Sequence, residues 1–220
     1  MVFGNLGENF YLRPDSLQPV KLYVYDFDQN GLAEKVLSRT VEGKEVPIFM
    51  KREMTDQIPS LKKQNLKHQD YAKKTVQELF GKNLKKATVQ QVNEASSCIA
   101  YNDGKGKFAI KKLPIGVQMS SVHAIQSADI NKDGYPDLIV GGNFFDLLPQ
   151  FCRLDASFGH VLMNDKKGGF TEMPMSKSGI NVPGQTRDIL LFNFQEKQHA
   201  LFLVNNQTPV LYKLSQVKVN

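Results

Sequence analysis

Residues 129–143 read DINKDGYPDLIVGGN, an acidic loop that runs directly into a short apolar strand ended by glycines. A second stretch, DFDQNGLAE at 26–34, shares the first nine positions in the form D-x-[DN]-x-[DN]-G-x-x-[DE]. Before it, apolar residues alternate with other side chains over 20–25, which is the period of a strand. The chain is therefore predicted to be internally repeated, with each acidic loop joining strand to strand.

Both loops have the composition of a calcium site. Calcium takes six to eight oxygen ligands, and carboxylates at alternate positions converge on one ion where a glycine lets the chain curl. In the first loop the predicted ligands are the side chains of Asp26, Asp28, Asn30 and Glu34 and the carbonyl of Leu32. In the second they are the side chains of Asp129, Asn131, Asp133 and Asp137 and the carbonyl of Tyr135.

These loops differ from two other types of acidic loop. EF-hands require a glutamate at position twelve, where this chain has Leu37 and Val140, so the loops are not EF-hands. Asp, Asn and Gly also form polar turns without any ion. Two nine-residue matches between strands favour calcium over that alternative. The first loop is expected to be the weaker site because Glu34 is longer than an aspartate and must fold back.

Further repeated elements define the units. A hairpin signal follows each loop, IAYNDGKGKFAIKKLP at 99–114 and VLMNDKKGGFTEMP at 161–174. A decayed third copy keeps its apolar strand but has Lys197 in place of Asp133, so Lys197 or a tighter turn should replace the ion there. We predict one repeat domain over 1–220 with units at about 20–114 (including a helical insert at about 51–92), 122–174 and 186–214.

The insert concentrates the positive charge. Residues 51–86 contain ten basic and four acidic side chains, which equals the net charge of +6 of the whole chain. Asp70 as a cap, an apolar face and Gly81 predict an amphipathic helix from Tyr71 to Phe80, lying on a β scaffold. The basic residues are mostly lysines with few aromatics between them, so a solvated helix face is favoured over nucleic-acid binding.

The acidic loops, the LIVGGN strand and Phe158-Gly159 before VLMND resemble FG-GAP (VCBS) repeats. The resemblance covers 20–50 and 97–174 and is faint over 186–214. It implies a mainly β, propeller-type fold of about three blades or an open arc, with calcium in the two intact loops. It also implies an extracellular, periplasmic or cell-surface location. Since propellers generally close with four to eight blades, further blades are expected outside this chain.

The sequence gives little sign of catalysis or cysteine chemistry. The four histidines are scattered, and neither a G-x-S-x-G nor a P-loop is present. Cys98 and Cys152 lie in no CxxC pattern, and two separate thiols are favoured over a bridge. The expected function is thus a non-enzymatic, calcium-binding adhesion or ligand-binding module with a protein or glycan ligand. The alternative is a carbohydrate-processing accessory or enzyme module, which the absence of tryptophan weakens.

Overall fold

The computed structural model describes residues 1–214, whose regular secondary structure is mainly short antiparallel strands, with a helical segment in the first half of the chain. The strands are β1 Val2–Phe3, β2 Val20–Tyr25, β3 Glu34–Val41, β4 Lys44–Pro47, β5 Thr88–Val92, β6 Cys98–Asn102, β7 Phe108–Lys112, β8 Val122–Ala128, β9 Asp137–Gly142, β10 His160–Asn164, β11 Phe170–Glu172, β12 Thr186–Phe194, β13 Lys197–Val204 and β14 Val210–Lys213. The helices are α1 Lys51–Gln57, α2 Leu61–Gln64, α3 His68–Ala72, α4 Val76–Phe80 and α5 Met175–Ser178. Turns of 3-10 helix lie at Gly81–Lys86, Ile115–Met119 and Pro149–Phe151.

These strands form antiparallel sheets in the orders β1-β6-β7, β11-β10-β9-β8, β12-β13-β14 and β4-β3-β2-β5. The prediction of a mainly β fold built from small sheets is confirmed. The chain divides into two compact units, unit 1 with residues 1–11 and those from 95 onward, and unit 2 with residues 12–94. The span predicted as the first repeat, 20–114, is thus distributed over both units.

In unit 1 the sheet β8–β11 is covered on both faces. Successive side chains of a strand point to opposite faces, so β9 contributes Ile139 to one core cluster and Leu138 and Val140 to another. The first cluster also holds Ile189, Ala200 and Phe202 from the sheet β12–β14. The second holds Leu113 and Val117, with Val2 of β1 packed against it. Unit 1 therefore has two core clusters, one on each face of the sheet β8–β11.

In unit 2 one face of the sheet β4-β3-β2-β5 is covered by the helical segment. Tyr23 of β2 and Val36 of β3 are register partners, and both belong to the core that the helices complete. The helical residues in that core are Met54, Ile58, Leu61, Tyr71, Val76, Leu79 and Phe80. The apolar face of the helical segment therefore lies on a β scaffold, as predicted.

The predicted single helix from Tyr71 to Phe80 is wrong. The structure has two short helices, with Tyr71 in α3 and a break before α4. Thr75 causes the break: its side chain accepts a hydrogen bond from the N–H of Glu78 (3.2 Å), while the N–H of Thr75 donates to the Glu78 carboxylate (2.7 Å). This capping box starts a new helix. Gly81 ends it with a φ of +50°, so the predicted C-terminal glycine is confirmed.

Candidate metal centre

The first acidic loop joins β2 to β3 and is closed by hydrogen bonds from its own backbone. The carboxylate of Asp26 accepts hydrogen bonds from the N–H of Asn30 (3.0 Å) and of Gly31 (2.9 Å). Gly31 has a φ of +91°, which glycine adopts without strain. Glu34 folds back, is 5% exposed, and accepts a hydrogen bond from the N–H of Phe27 (2.7 Å). The longer side chain of Glu34 therefore brings its carboxylate to the place that Asp137 occupies in the second loop.

This loop gathers three carboxylates. One oxygen from each of Asp26, Asp28 and Glu34 lies within 4.8 Å of the other two. Oxygens bound to one calcium ion at 2.3–2.6 Å lie at most about 5 Å apart. Three hard anionic oxygens at this separation fit such an ion.

The second loop, between β8 and β9, repeats the same hydrogen bonds residue for residue. Asp129 accepts them from the N–H of Asp133 (2.9 Å) and of Gly134 (2.9 Å), as Asp26 does at the corresponding positions. Asp137 is buried and accepts one from the N–H of Ile130 (3.0 Å), as Glu34 does from Phe27. Matching contacts in two places show that the D-x-[DN]-x-[DN]-G-x-x-[DE] pattern specifies one loop geometry.

The two loops differ around Asp133. The ammonium of Lys166 lies 3.0 Å from Asp133 Oδ2, and the amide of Asn131 donates to the same oxygen (3.0 Å). The N–H of Tyr135 and the Lys166 ammonium hold the pKa of Asp133 below its usual value. Among residues 1–214, only the first loop brings three acidic, histidine or cysteine side chains within 4.8 Å. The second loop thus has the same backbone hydrogen bonds as the first, but its carboxylates do not gather as closely and one of them is paired with Lys166.

The third, decayed loop is a tight turn. Gln195 and Glu196 connect β12 to β13 and have positive φ values of 47° and 60°, typical of two-residue hairpin turns. Lys197 already belongs to β13, opposite Phe194, and is exposed. Of the two alternatives, the tighter turn is the one found, and the ammonium of Lys197 does not fill an ion's place inside the loop.

A scan against protein-family models matched the FG-GAP repeat at residues 121–159. The chain carries an FG-GAP repeat. The match spans β8, the second acidic loop, β9 and the connection to Phe158-Gly159. The small antiparallel sheets agree with the propeller-type fold class that this repeat implies. Comparisons with curated proteins and with solved structures gave no match.

The glycines and the asparagine of the FG-GAP repeat have packing roles. A Cβ on Gly142 would lie 1.7 Å from the carbonyl oxygen of Ser121, so no side chain fits there. Asn143, 1% exposed, donates to the carbonyls of Ser157 and Gly184 (both 2.7 Å) and accepts from the N–H of Ser157 (2.9 Å). Gly159 has a φ of +84°, and a Cβ there would contact Ile180 at 2.7 Å. The signature residues thus fix the connections around β9.

A serine and a histidine outside the acidic loops lie close together. Ser121 Oγ lies 3.1 Å from His123 Nε2, a pair that the sequence analysis did not single out. Ser121 is only 1% exposed. Burial, and secondarily the charge of Arg187, lower the pKa of His123.

Cys98 is buried, Cys152 is exposed, and no disulfide joins them. In the described residues no helix is both long and apolar enough to cross a membrane.

Proposed function

We propose that this protein is a calcium-binding, non-enzymatic adhesion or ligand-binding module that works at a cell surface or outside the cell. The observation that carries the proposal is the cluster of Asp26, Asp28 and Glu34, whose oxygens lie within 4.8 Å of one another. Three carboxylates so close repel one another until a cation lies between them. The match to an FG-GAP repeat supports the same ion at the second loop, since such repeats often bind calcium.

Calcium in these loops would stabilise the fold by linking the ends of neighbouring strands. Asp26 and Asp28 follow β2, while Glu34 begins β3, so one ion would join the ends of two paired strands. The backbone N–H groups already hold Asp26 in place, so little ordering is needed when the ion binds. A loop stiffened in this way presents the neighbouring surface to a protein or glycan ligand in one conformation.

The repeat type supports the proposed surface location, because FG-GAP repeats are typical of extracellular and surface proteins. The binding role is supported by the match to an FG-GAP repeat, a repeat type of β-propeller binding and adhesion modules.

Thermal unfolding with and without calcium tests the proposal. A ligand that binds only the folded state raises its stability by mass action, so excess calcium should raise the unfolding midpoint by several degrees over a chelator. The Asp28→Ala and Asp133→Ala variants should each lose part of this shift. Asn30→Ala should lose less than Asp133→Ala because no charge is removed. Asp15→Asn is the control: its carboxylate caps a turn at Leu17 (2.7 Å), and its calcium shift should be unchanged. Equal midpoints in calcium and chelator would refute calcium binding.

A further inference from the structure

The two acidic loops share their hydrogen bonds but not their surroundings. At the fifth position the first loop has the neutral Asn30 and the second has Asp133. Asp133 forms an ion pair with Lys166 at 3.0 Å, and the two side chains are 20% and 50% exposed. No ion pair is recorded for Asp26, Asp28 or Glu34 in the described part of the chain. A basic side chain therefore contacts a predicted calcium ligand in one loop only.

Lys166 is held at the loop by its own turn. It lies in the turn between β10 and β11, has a φ of +59°, and its N–H donates to Asn164 Oδ1 (2.8 Å). The N–H of Asn164 in turn donates to Asp137 Oδ1 (2.8 Å), and its side-chain amide donates to the carbonyl of Pro136 (3.0 Å). The turn that carries the ammonium is thus bonded directly to the end of the acidic loop.

The hairpin formed by β6 and β7 shows that the turn does not require a lysine. Between β6 and β7, the N–H of Gly104 donates to Asn102 Oδ1 (2.8 Å), the same bond that Lys166 makes with Asn164. Glycine adopts a positive φ without strain, whereas lysine adopts it at a cost. Lys166 therefore occupies a position where glycine serves the backbone better, and its side chain makes contacts that a glycine lacks. These contacts are the ion pair with Asp133 and a position 5.3 Å from the centre of the Tyr135 ring.

We propose that Lys166 is a tethered cation that competes with calcium for Asp133 and so weakens the second loop relative to the first. The inference rests on the calcium binding proposed above. An ion in the second loop needs Asp133 as an oxygen ligand, so the ammonium must move away or remain as a positive charge beside a divalent cation. Either outcome costs free energy that the first loop does not lose. This order of affinities is opposite to the one expected from the length of Glu34 alone.

Calcium titration calorimetry tests the inference in a protein whose first loop has been disabled by Asp28→Ala. In that background, Lys166→Gln removes the charge and keeps most of the side chain. We expect it to tighten calcium binding at the second loop by roughly tenfold at low ionic strength, with a smaller gain at high salt because the pair is partly exposed. Lys167→Gln is the matched control, since it removes the same charge from the next residue of the turn.

The outcomes separate the two proposals. Tightening by Lys166→Gln and not by Lys167→Gln supports a direct competition for Asp133. Calcium binding with equal affinity in both lysine variants would overturn the role of Lys166 and leave calcium binding intact. Absence of calcium binding in the unmodified protein would overturn the proposed function, and this inference with it.

Discussion

Glu45 shows how single residues hold unit 2 together. Its side chain is 12% exposed and accepts hydrogen bonds from Ser38 (2.6 Å), Tyr23 (2.7 Å), Gln77 (3.0 Å) and Lys21 (3.2 Å). Burial by itself would raise the pKa of Glu45, but the bonds from Ser38, Tyr23, Lys21 and Gln77 outweigh it and lower the pKa below 4.5. Because Gln77 belongs to α4 and the other donors to β2 and β3, the ionised carboxylate links helix to sheet.

The Glu45→Gln variant should therefore destabilise the protein in a pH-dependent way. At neutral pH we expect a loss of about 1–3 kcal/mol, because the amide places N–H donors against donors and removes a charge. A carboxyl with a lowered pKa in the fold contributes stability above its unfolded pKa, and this contribution disappears as the pH falls through its folded pKa. The difference between wild type and variant in urea unfolding should shrink below about pH 4.5.

Glu42→Gln is the control for this measurement, since Glu42 is an exposed turn residue and its loss should change stability by less than about 0.5 kcal/mol. A difference between wild type and Glu45→Gln that stays constant from neutral to acidic pH would show that the hydrogen-bonded form of Glu45 is not the ionised one.

The sequence predicts residues well where a local pattern specifies a backbone, and poorly where distant segments meet. The shape of the acidic loops follows from spacing within nine residues, and both loops have the same backbone hydrogen bonds to their first aspartate. Lys166 was not predicted at the second loop because it arrives from a later hairpin. Glu45 was missed for the same reason: its four donors come from β2, β3 and α4.

At the scale of elements, α4 is part of the core of unit 2. Val76 is fully buried and packs in one cluster with Tyr23 and Val36 of the sheet. Leu79 and Phe80 follow on the same side, and the Phe80 ring lies 4.5 Å from that of Phe27 in the first acidic loop. The helical segment therefore completes this core and also packs directly against the first acidic loop.

Truncating this helix face should destabilise unit 2 measurably. Val76→Ala removes two buried methyl groups and leaves a cavity, which should cost about 2 kcal/mol in urea unfolding followed by circular dichroism. Leu66→Ala provides the comparison, because Leu66 is 81% exposed and its truncation should cost almost nothing. A Val76→Ala variant as stable as Leu66→Ala would contradict the assignment of α4 to the core. Deleting 51–86 altogether should give insoluble protein.

The amphipathic pattern predicted three buried residues of α4 but not where that helix begins, and Ala72, predicted to lie on the same apolar face, is exposed. Val76, Leu79 and Phe80 are buried as their spacing indicates. The predicted helix was too long because the capping box of Thr75 and Glu78 competes locally with helix continuation. Similarly, the hairpin signal at 99–114 was correct as a hairpin, yet β6 pairs with β1 rather than with the strands of the first loop. Turn chemistry specifies a hairpin, and only tertiary packing selects its sheet.

At the scale of the whole molecule, the sheets of unit 1 are unequally covered. The sheet β8–β11 has a core on each face, whereas the outer face of β12–β14 carries a row of register partners, Leu190, Leu201 and Leu211, in three neighbouring strands. Phe192 lies beside this row, and Leu190, Phe192 and Leu211 are 43%, 41% and 56% exposed. Contiguous apolar surface of this kind favours association with other apolar surfaces.

We therefore expect the protein to self-associate through this face as its concentration rises. The double variant Phe192→Ser with Leu211→Ser should stay monomeric at concentrations where wild type associates, as measured by sedimentation velocity. A double variant with Leu17→Ser and Leu66→Ser is the control, because these leucines are 89% and 81% exposed and lie outside β12–β14. If wild type stays monomeric throughout, or if both double variants behave alike, the outer face of β12–β14 is not the associating surface. We expect association because apolar faces inside unit 1 are already covered by other apolar faces. Two sheets of this protein pack against a third and so remove their apolar faces from water.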